Sequence, residues 1–378
     1  MISSSLIGAQ GTYGTQFIVT DATGKTASVL ISFGFAGSNA FLPSIFPSDS
    51  IFHHRVDAAT TGLPVDTSPA APIYSAYQSA TIRAFFGNAA NGNLPNGIPA
   101  IEVPCSQTYV PVSTVAGGYQ SYFTSAPIPP YAPIEDTAND SNPNNYNQDG
   151  HVLVYQEAGC GNPPALWELF SGQLESNGSW EDISNALWSN VTSDNLTPQG
   201  NGTTDAAGLP IAPLLVNADE VIGSGTSSAP DGVVQHPVRF TVNHMLNYWV
   251  WPATATAGTG SCSNSSGTIP TANLISQSSP PTNCTMSGPA GEIYRLKASV
   301  ATPSCAATSP QANIIITGFR DYGIILADNG DSGGLIGTPD TRWNDADLSC
   351  LSQLTLADFE PVNVSSLMVN SGSGSTTH

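Results

Sequence analysis

Alternation of apolar and polar residues is the commonest pattern along this chain, and it predicts a molecule built mostly from short β-strands. Residues 11–33, GTYGTQFIVTDATGKTASVLISF, form two such runs around a turn at 22–25. Shorter runs follow, separated by segments rich in Gly, Pro, Ser and Asn. They predict strands at 80–86, 98–103, 109–115, 151–157, 166–174, 214–221, 233–242, 248–253 and 292–300. Many short strands with turn signals between them indicate an antiparallel β-sandwich or a jelly-roll-like domain.

A helical period appears near the end of the chain. At 310–327 it places a stripe of apolar residues on one face: Ala312, Ile315, Ile316, Phe319, Tyr322 and Leu326. A second short helix is predicted at 345–354, after the good N-cap residue Asn344. The last residues, SGSGSTTH, are of low complexity and predict a flexible tail. The chain is thus divided into a hairpin at 1–36, a main β-rich domain at 37–370 and a tail at 371–378.

The charge balance restricts the partners of the protein. The chain of 378 residues has 28 acidic and 8 basic residues, a net charge of −20, and only two lysines, Lys25 and Lys297. Such an acidic protein does not bind nucleic acid or an anionic membrane by general electrostatics. Nor does any apolar run approach the roughly 18 residues of a membrane span. We therefore expect no nucleic-acid binding and no membrane insertion; a polysaccharide or cell-surface glycan fits better.

The cysteines indicate an oxidising compartment. There are six, Cys105, Cys160, Cys262, Cys284, Cys305 and Cys350, with no CxxC spacing. An even number without metal-ligand spacing favours disulfides over zinc. Pairing Cys262 with Cys284 would close a Ser/Asn-rich loop, pairing Cys305 with Cys350 would join two predicted helices, and Cys105 and Cys160 would remain; other pairings stay open. No signal peptide is visible, so an extracellular location is inferred from composition and cysteines. No cofactor is expected, although the Asp/Asn-rich loop at 136–149 is a candidate for calcium.

The hairpin at 11–33 resembles the last two strands of a bacterial immunoglobulin-like repeat, whose ends commonly read GTYxFTVxVTDxxGxTAS. An immunoglobulin-like domain needs about seven strands. The resemblance therefore implies that the chain begins inside such a repeat. The alternative is an N-terminal hairpin that belongs to the main domain.

A longer series of segments resembles a group of uncharacterised secreted proteins from actinobacteria and acidobacteria. The segments are APIPPYAPIE (126–135), GHVLVY (150–155), LWELFSG (166–172), DAAGLPIAPLLVNADEV (205–221), HPVRFTV (236–242), YWVWPA (248–253), YRLKA (294–298), YGIILADNG (322–330) and RWNDADL (342–348). The chain departs from the group at FHHRVD (52–57) and DSGG (331–334). The resemblance implies a secreted domain of one architecture, and it implies no particular reaction.

Several charged residues stand inside apolar segments between 205 and 347, although charged residues are only 10% of the chain. Burying a charge is unfavourable unless it is paired or used, so this placement favours a built site. Glycoside hydrolysis requires two carboxyl groups, one as acid and one as nucleophile or base. Asp205 and Glu220 are the candidates for that pair, and His236 and Asp328 would assist. Glu168 is a further candidate.

Each of these residues also has a structural interpretation. Asp205 would cap a turn, Glu220 would pair with Arg239 or Arg295, and Asp328 would end a helix. His236 would be a hydrogen-bonded residue beside a strand, and His151 would fix the start of one.

The candidates for substrate binding are aromatic and cationic: Trp249, Trp251, Arg239 and Trp343. Flat rings suit sugar faces. The leading hypothesis is therefore an extracellular hydrolase acting on a polysaccharide. A non-catalytic cell-surface or matrix module, for binding or self-assembly, is the main alternative. The segment GDSGG at 330–334 matches the nucleophile loop of chymotrypsin-like serine proteases around Ser332, but the matching His segment is missing.

Overall fold

The computed structural model describes residues 39–377 with gaps, together with the backbone of two strands before residue 36. The gaps are 69–70, 74, 89–96, 117, 119–120, 136–148, 197–203, 248, 259–261, 265–266, 269–282 and 285–287. The candidate calcium loop therefore lies outside the described residues except for Asp149.

Short strands dominate the described chain. They are β1 (Gly11–Thr20), β2 (Thr26–Phe35), β3 (Arg83–Phe85), β4 (Ala100–Val103), β5 (Val110–Thr114), β6 (Ser125–Ala126), β7 (Val152–Gln156), β8 (Ala165–Phe170), β9 (Gln173–Leu174), β10 (Trp180–Asp182), β11 (Ser184–Trp188), β12 (Val238–Val242), β13 (Cys262–Asn264), β14 (Gly267–Thr268), β15 (Asn283–Cys284), β16 (Ile293–Leu296), β17 (Ile324–Asn329), β18 (Gly334–Ile336) and β19 (Phe359–Pro361). The α-helices are α1 (Ala58–Thr61), α2 (Ala218–Ile222), α3 (Pro310–Asp321) and α4 (Asp345–Leu348). The prediction of a mostly β fold with few helices is confirmed.

The strands are arranged in mixed sheets. The orders are β6-β5-β10-β9, β11-β8-β7-β4, β19-β16-β17-β12-β18-β3 and β14-β13-β15, and β1 and β2 form the predicted antiparallel hairpin. Among the strands of the described residues, four pairs are parallel: β4 with β7, β5 with β10, β12 with β17 and β3 with β18. The purely antiparallel arrangement expected from the sequence is therefore wrong. Parallel neighbours need a long crossover, and the chain between β12 and β17, which includes α3, supplies one.

The sheet β11-β8-β7-β4 is buried on both faces. Because alternate residues of a strand point to opposite faces, Leu153 and Leu166 join the core shared with the six-stranded sheet. Val152, Val154 and Trp167 join a second core with β5 and β10. Burial on both faces explains why GHVLVY and ALWELF are nearly continuous apolar runs.

The helical stripe predicted at 310–327 is divided between α3 and β17. Gly323 separates them with a φ of 83°, and a Cβ at this position would lie 2.5 Å from the Tyr294 carbonyl oxygen. Only glycine fits this left-handed turn easily. The second predicted helix begins after Asn344 as expected, but α4 gives way to a 3-10 turn at Ser349–Gln353.

Two predicted strands are wrong. Residues 214–221 end a 3-10 turn and begin α2, where Asn217 and Glu220 form a capping box. Trp249 forms only an isolated bridge with Ala290, and residues 250–253 form a turn that contains a cis Trp251–Pro252 bond; Tyr248 lies outside the described residues.

Two of the predicted disulfides, Cys105–Cys160 and Cys305–Cys350, are present. The strand pairing also sets Cys262 opposite Cys284. No helix among the described residues has the length and apolarity needed to cross a membrane.

The C-terminal segment is hydrogen-bonded, in contrast to the flexible tail predicted at 371–378. The Ile51 N–H donates to the Gly374 carbonyl at 2.7 Å, the Gly374 N–H donates to the Asp194 carbonyl at 2.7 Å, and the Trp251 indole N–H donates to the Ser373 carbonyl at 2.8 Å. A Cβ on Gly374 would lie 2.5 Å from Asp194 Oδ1. The small residues of this segment therefore fit a narrow space between other parts of the chain.

Candidate functional site

Arg239 lies at the centre of a buried group of charged residues. It stands on β12, whose five residues are all buried, beside the parallel strand β17. Its guanidinium forms ion pairs with Asp205 and, at 2.7 Å, with Asp328. Only 2% of the Arg239 side chain is exposed, so the charge is compensated by these carboxylates rather than by water.

Further charged and polar groups surround this centre. Contacts and electrostatic interactions connect Glu135, Asp149, His151, Glu168, Thr204, Asp205, Arg239 and Asp328, which we call the Arg239 cluster. The cluster lies where the buried sheet with β7 and β8 meets the six-stranded sheet with β12 and β17, since His151 precedes β7 and Glu168 belongs to β8.

Asp205 has a structural task within this cluster. Its Oδ2 accepts hydrogen bonds from the backbone N–H groups of Ala207 and Leu209, both at 2.9 Å. Its Oδ1 faces Arg239. The carboxylate thus caps the turn at 205–209 and fixes the guanidinium, with no part of its side chain exposed.

Asp328, at the end of β17, is the partner of Arg239 that still reaches solvent. Its Oδ1 accepts from the Asn329 N–H at 2.7 Å, and 23% of its side chain is exposed. Burial raises the pKa of the Asp328 carboxyl, although Arg239 acts in the opposite direction, and the negative charge of Asp149 raises it further. A partly accessible carboxyl with a raised pKa is suited to donate a proton.

His151 connects Asp328 and Arg239 to two further acids. Its Nδ1 lies 2.5 Å from Glu135 Oε2, and its Nε2 lies 2.9 Å from the Thr204 carbonyl oxygen. The Thr204 hydroxyl in turn donates to Glu168 Oε2 at 2.7 Å. Burial raises the pKa of Glu168, although the hydroxyl and the Ile211 and Ala212 N–H groups oppose this.

Glu220 and His236 belong to a second set of contacts. His236 Nε2 lies 3.1 Å from Glu220 Oε2, and His236 Nδ1 lies 3.0 Å from the Pro237 carbonyl oxygen. Glu220 also accepts from the Asn217 N–H in the cap of α2. Burial lowers the pKa of His236, but the attraction of Glu220 exceeds that effect, so the net pKa is raised. The predicted pair of Asp205 and Glu220 is therefore distributed over two different contact sets.

The aromatic candidates differ in exposure. Trp251 and Trp343 are each 2% exposed. The Trp343 indole donates to the Thr338 carbonyl at 2.9 Å, and its ring contacts Phe86. Trp249 is half-buried at the margin of the core. Of the three predicted ring platforms, only Trp249 keeps a substantial accessible surface.

The serine protease interpretation gains no support from the surroundings of Ser332. Its hydroxyl accepts from the Asn243 N–H at 3.0 Å. His53 Nε2 bonds to the Phe46 carbonyl, and His54 Nδ1 bonds to the Arg55 carbonyl. The three residues are thus engaged in three different local contacts.

Sequence reasoning missed Glu135 and Asp149, and it gave His151 only a role at a strand end. Glu135 contacts His151, and Asp149 acts on it through its charge. The signal in the sequence was that Glu135 and Asp149 flank one polar segment, 136–148, and that Asp149 lies two residues before His151. Among the described residues, no three Asp, Glu, His or Cys side chains form a group that could hold a metal ion.

No family model, curated protein or solved structure matches the chain. The function of this protein must therefore be inferred from the geometry of the two contact sets.

Proposed function

We propose that this protein is an extracellular hydrolase acting on a polysaccharide, with its acid/base chemistry at the Arg239 cluster. Asp328 is the general acid in this proposal. The observation that carries it is the combination found at this one carboxyl: a raised pKa, partial exposure, and an ion pair with a buried arginine that fixes its position. Glycoside hydrolysis needs a carboxyl group that can take up and donate a proton beside a second carboxylate.

Asp149 is the second carboxylate of this scheme. It is exposed, and its charge contributes to the raised pKa of Asp328. A carboxyl group whose pKa is raised by a neighbouring carboxylate is typical of the acid in such a pair. Asp205 is then a positioning residue, because it holds the arginine that holds Asp328. Glu220 and His236 lie outside the reacting pair.

The substrate class is supported by composition. A chain with a net charge of −20 repels anionic polymers, whereas a neutral polysaccharide has no such barrier. Trp249 is the aromatic residue that is accessible enough to contact a sugar ring. The two disulfides fit an extracellular location.

The architecture belongs to the same proposal. The six-stranded sheet and the β11-β8-β7-β4 sheet share one hydrophobic core, which supports a sandwich-like packing with the Arg239 cluster between the two layers. The hairpin of β1 and β2 is the end of an immunoglobulin-like repeat in this scheme, and the segment resemblance to secreted bacterial proteins is consistent with it.

The test is reducing-end release by the purified chain across neutral plant, fungal and bacterial polysaccharides. On a substrate that is hydrolysed, Asp328→Asn should lower the rate by about a hundredfold or more. Glu220→Gln is the matched control: it also changes an ion-paired carboxylate to an amide, but it should keep most of the activity. Circular dichroism must show that both variants are folded. Equal activity of Asp328→Asn and the wild type would remove the assignment.

A non-catalytic binding or structural module is the second candidate. It is favoured by the closed contacts of Asp205, Glu220 and His236 and by the burial of Trp251 and Trp343. This candidate predicts saturable glycan binding on an array with no product release. Product release that depends on Asp328 would exclude it.

A further inference from the structure

Strand β3 is the edge strand of the six-stranded sheet, and one of its residues directs its backbone away from the sheet. The Arg83 N–H donates to the Gly333 carbonyl at 2.9 Å, on the side of β18. In a parallel strand, the N–H and C=O groups of one residue point to the same edge of the strand, and those of the next residue point to the opposite edge. Ala84 therefore points both groups outward.

On this outward side, residues before and after Ala84 already form hydrogen bonds with other parts of the chain. The Leu356 N–H donates to the Ala80 carbonyl and the Ile82 N–H donates to the Leu354 carbonyl, both at 2.9 Å. Beyond, the Asn88 N–H donates to Asp345 Oδ1 at 2.8 Å. Between these contacts, the outward N–H and C=O groups of Ala84 have no partner among the described residues. The outward row of hydrogen bonds thus has a gap at Ala84.

A cavity of about 360 Å³ lies at this gap, between β3 and the helical segment of α4 with its following 3-10 turn. The buried side chains of Ile82, Phe86 and Leu348 give it an apolar floor. Asp345, Ser349 and Ser352 line it from the helical side. A groove between an edge strand and a helix, with free backbone groups on the strand, is a common geometry for binding an extended peptide.

The charges around the cavity favour a cationic ligand. Arg83 pairs with Asp331 at 3.5 Å and lies over the Phe85 ring, so its charge is partly compensated. Asp345 is exposed and adds a negative charge to a chain of net charge −20. An anionic ligand and a second copy of this acidic chain are both disfavoured by repulsion.

We propose that this groove binds a short extended peptide that carries a basic residue. The peptide backbone pairs with the outward N–H and C=O of Ala84, a small apolar side chain contacts Ile82 and Leu348, and the basic side chain approaches Asp345. A saccharide could fill the cavity, but it has no amide row to complete the interrupted ladder.

The experiment is selection of a phage-displayed random heptapeptide library on the immobilised full chain, with binding of the selected synthetic peptides measured by fluorescence anisotropy. Ala84→Pro removes the outward N–H, and proline is tolerated at edge-strand positions whose N–H is not in the ladder. Ala84→Ser keeps the N–H and is the matched control. Asp345→Asn keeps the oxygen that accepts from Asn88 and removes the charge.

Selected peptides should share a Lys or Arg next to a small apolar residue. Their Kd should rise about tenfold or more in Ala84→Pro and stay within about twofold in Ala84→Ser. Asp345→Asn should weaken a Lys-containing peptide more than its Lys→Ala version. If Ala84→Pro fails to fold, slower hydrogen exchange of the Ala84 amide in the wild-type complex replaces it as the readout.

Three results would overturn the proposal. The first is that no selected peptide distinguishes the wild type from Ala84→Pro or protects the Ala84 amide. The second is a dimer in sedimentation that Ala84→Pro abolishes, which would make a second copy the occupant. The third is that maltotriose or cellotriose, tested as neutral probes, protects the Ala84 amide when the selected peptides do not.

Discussion

His151 is a residue whose contacts alone fix its charge. Its Nδ1 faces a Glu135 carboxylate oxygen and its Nε2 faces the Thr204 carbonyl oxygen. When Glu135 is ionised, both partners accept hydrogen bonds, so both ring nitrogens carry protons and the ring is an imidazolium. Burial acts to lower its pKa, but Glu135 raises the pKa of His151 to about 9. Geometry and electrostatics therefore agree on a positive charge at neutral pH.

This raised pKa makes the stability of the protein depend on pH. The contribution of His151 to the free energy of unfolding is complete below its unfolded pKa of about 6.5 and is lost as the pH rises to about 9. Urea unfolding should show that, between pH 6 and pH 9, the free energy of unfolding falls by about 3 kcal/mol more in the wild type than in His151→Gln. An identical loss in both proteins would show that His151 is neutral in the folded state.

Replacing Arg239 should destabilise the protein strongly. Arg239→Met leaves the Asp205 carboxylate buried without its cation, and breaking a buried ion pair in this way costs about 3–5 kcal/mol. Arg83→Met is the control, because Arg83 pairs with an exposed Asp331 and its loss should change stability by about 0.5 kcal/mol or less. Both values can be measured by urea unfolding. Equal effects would mean that the Arg239 ion pairs contribute little.

The partners of the charged residues were the least predictable feature at this scale. The capping of a turn by Asp205 was among the structural interpretations of the sequence. The partner of Glu220 was expected to be Arg239 or Arg295 and is instead His236, while Arg295 pairs with Glu360. Each of these pairs joins distant segments, so local pattern contains no information about which will meet.

At the scale of elements, apolar periodicity located strands well and assigned some segments to the wrong type. The run YGIILADN fits a helical stripe and a buried strand equally, since a strand buried on both faces has no alternation to display. The left-handed turn at Gly323 ends α3, so the residues that follow it form the strand β17. The strand prediction at 214–221 is wrong for a related reason: the capping residues Asn217 and Glu220 start a helix inside an apolar run.

The C-terminal segment gives a testable consequence at this scale. Removing residues 372–378 deletes the bonds to Ile51, Asp194 and Trp251, and it exposes part of the core around Trp251. We expect a loss of about 3 kcal/mol in the free energy of unfolding. Removing only His378 is the control and should have no measurable effect. A truncated protein as stable as the wild type would show that the segment only rests on the surface.

For the whole molecule, sequence reasoning predicted the β-rich class, the N-terminal hairpin and two of the disulfides. It did not predict the mixed sheets, nor that Asp205 and Glu220 belong to two different sets of contacts. Those features depend on crossover connections and on packing between layers, which few local signals report. The same packing brings Glu135, Asp149 and Asp328 together from distant parts of the chain.

The most direct test of the proposed chemistry compares two substrates of the same sugar: the polysaccharide and its 2,4-dinitrophenyl glycoside, whose leaving group needs no proton. If Asp328 is the general acid, Asp328→Asn should lower the rate on the polysaccharide by about a hundredfold or more and on the aryl glycoside by less than about tenfold. Equal losses on both substrates would contradict the role of Asp328. Absence of hydrolysis of either substrate by the wild type, across the sugars tested, would contradict the hydrolase itself.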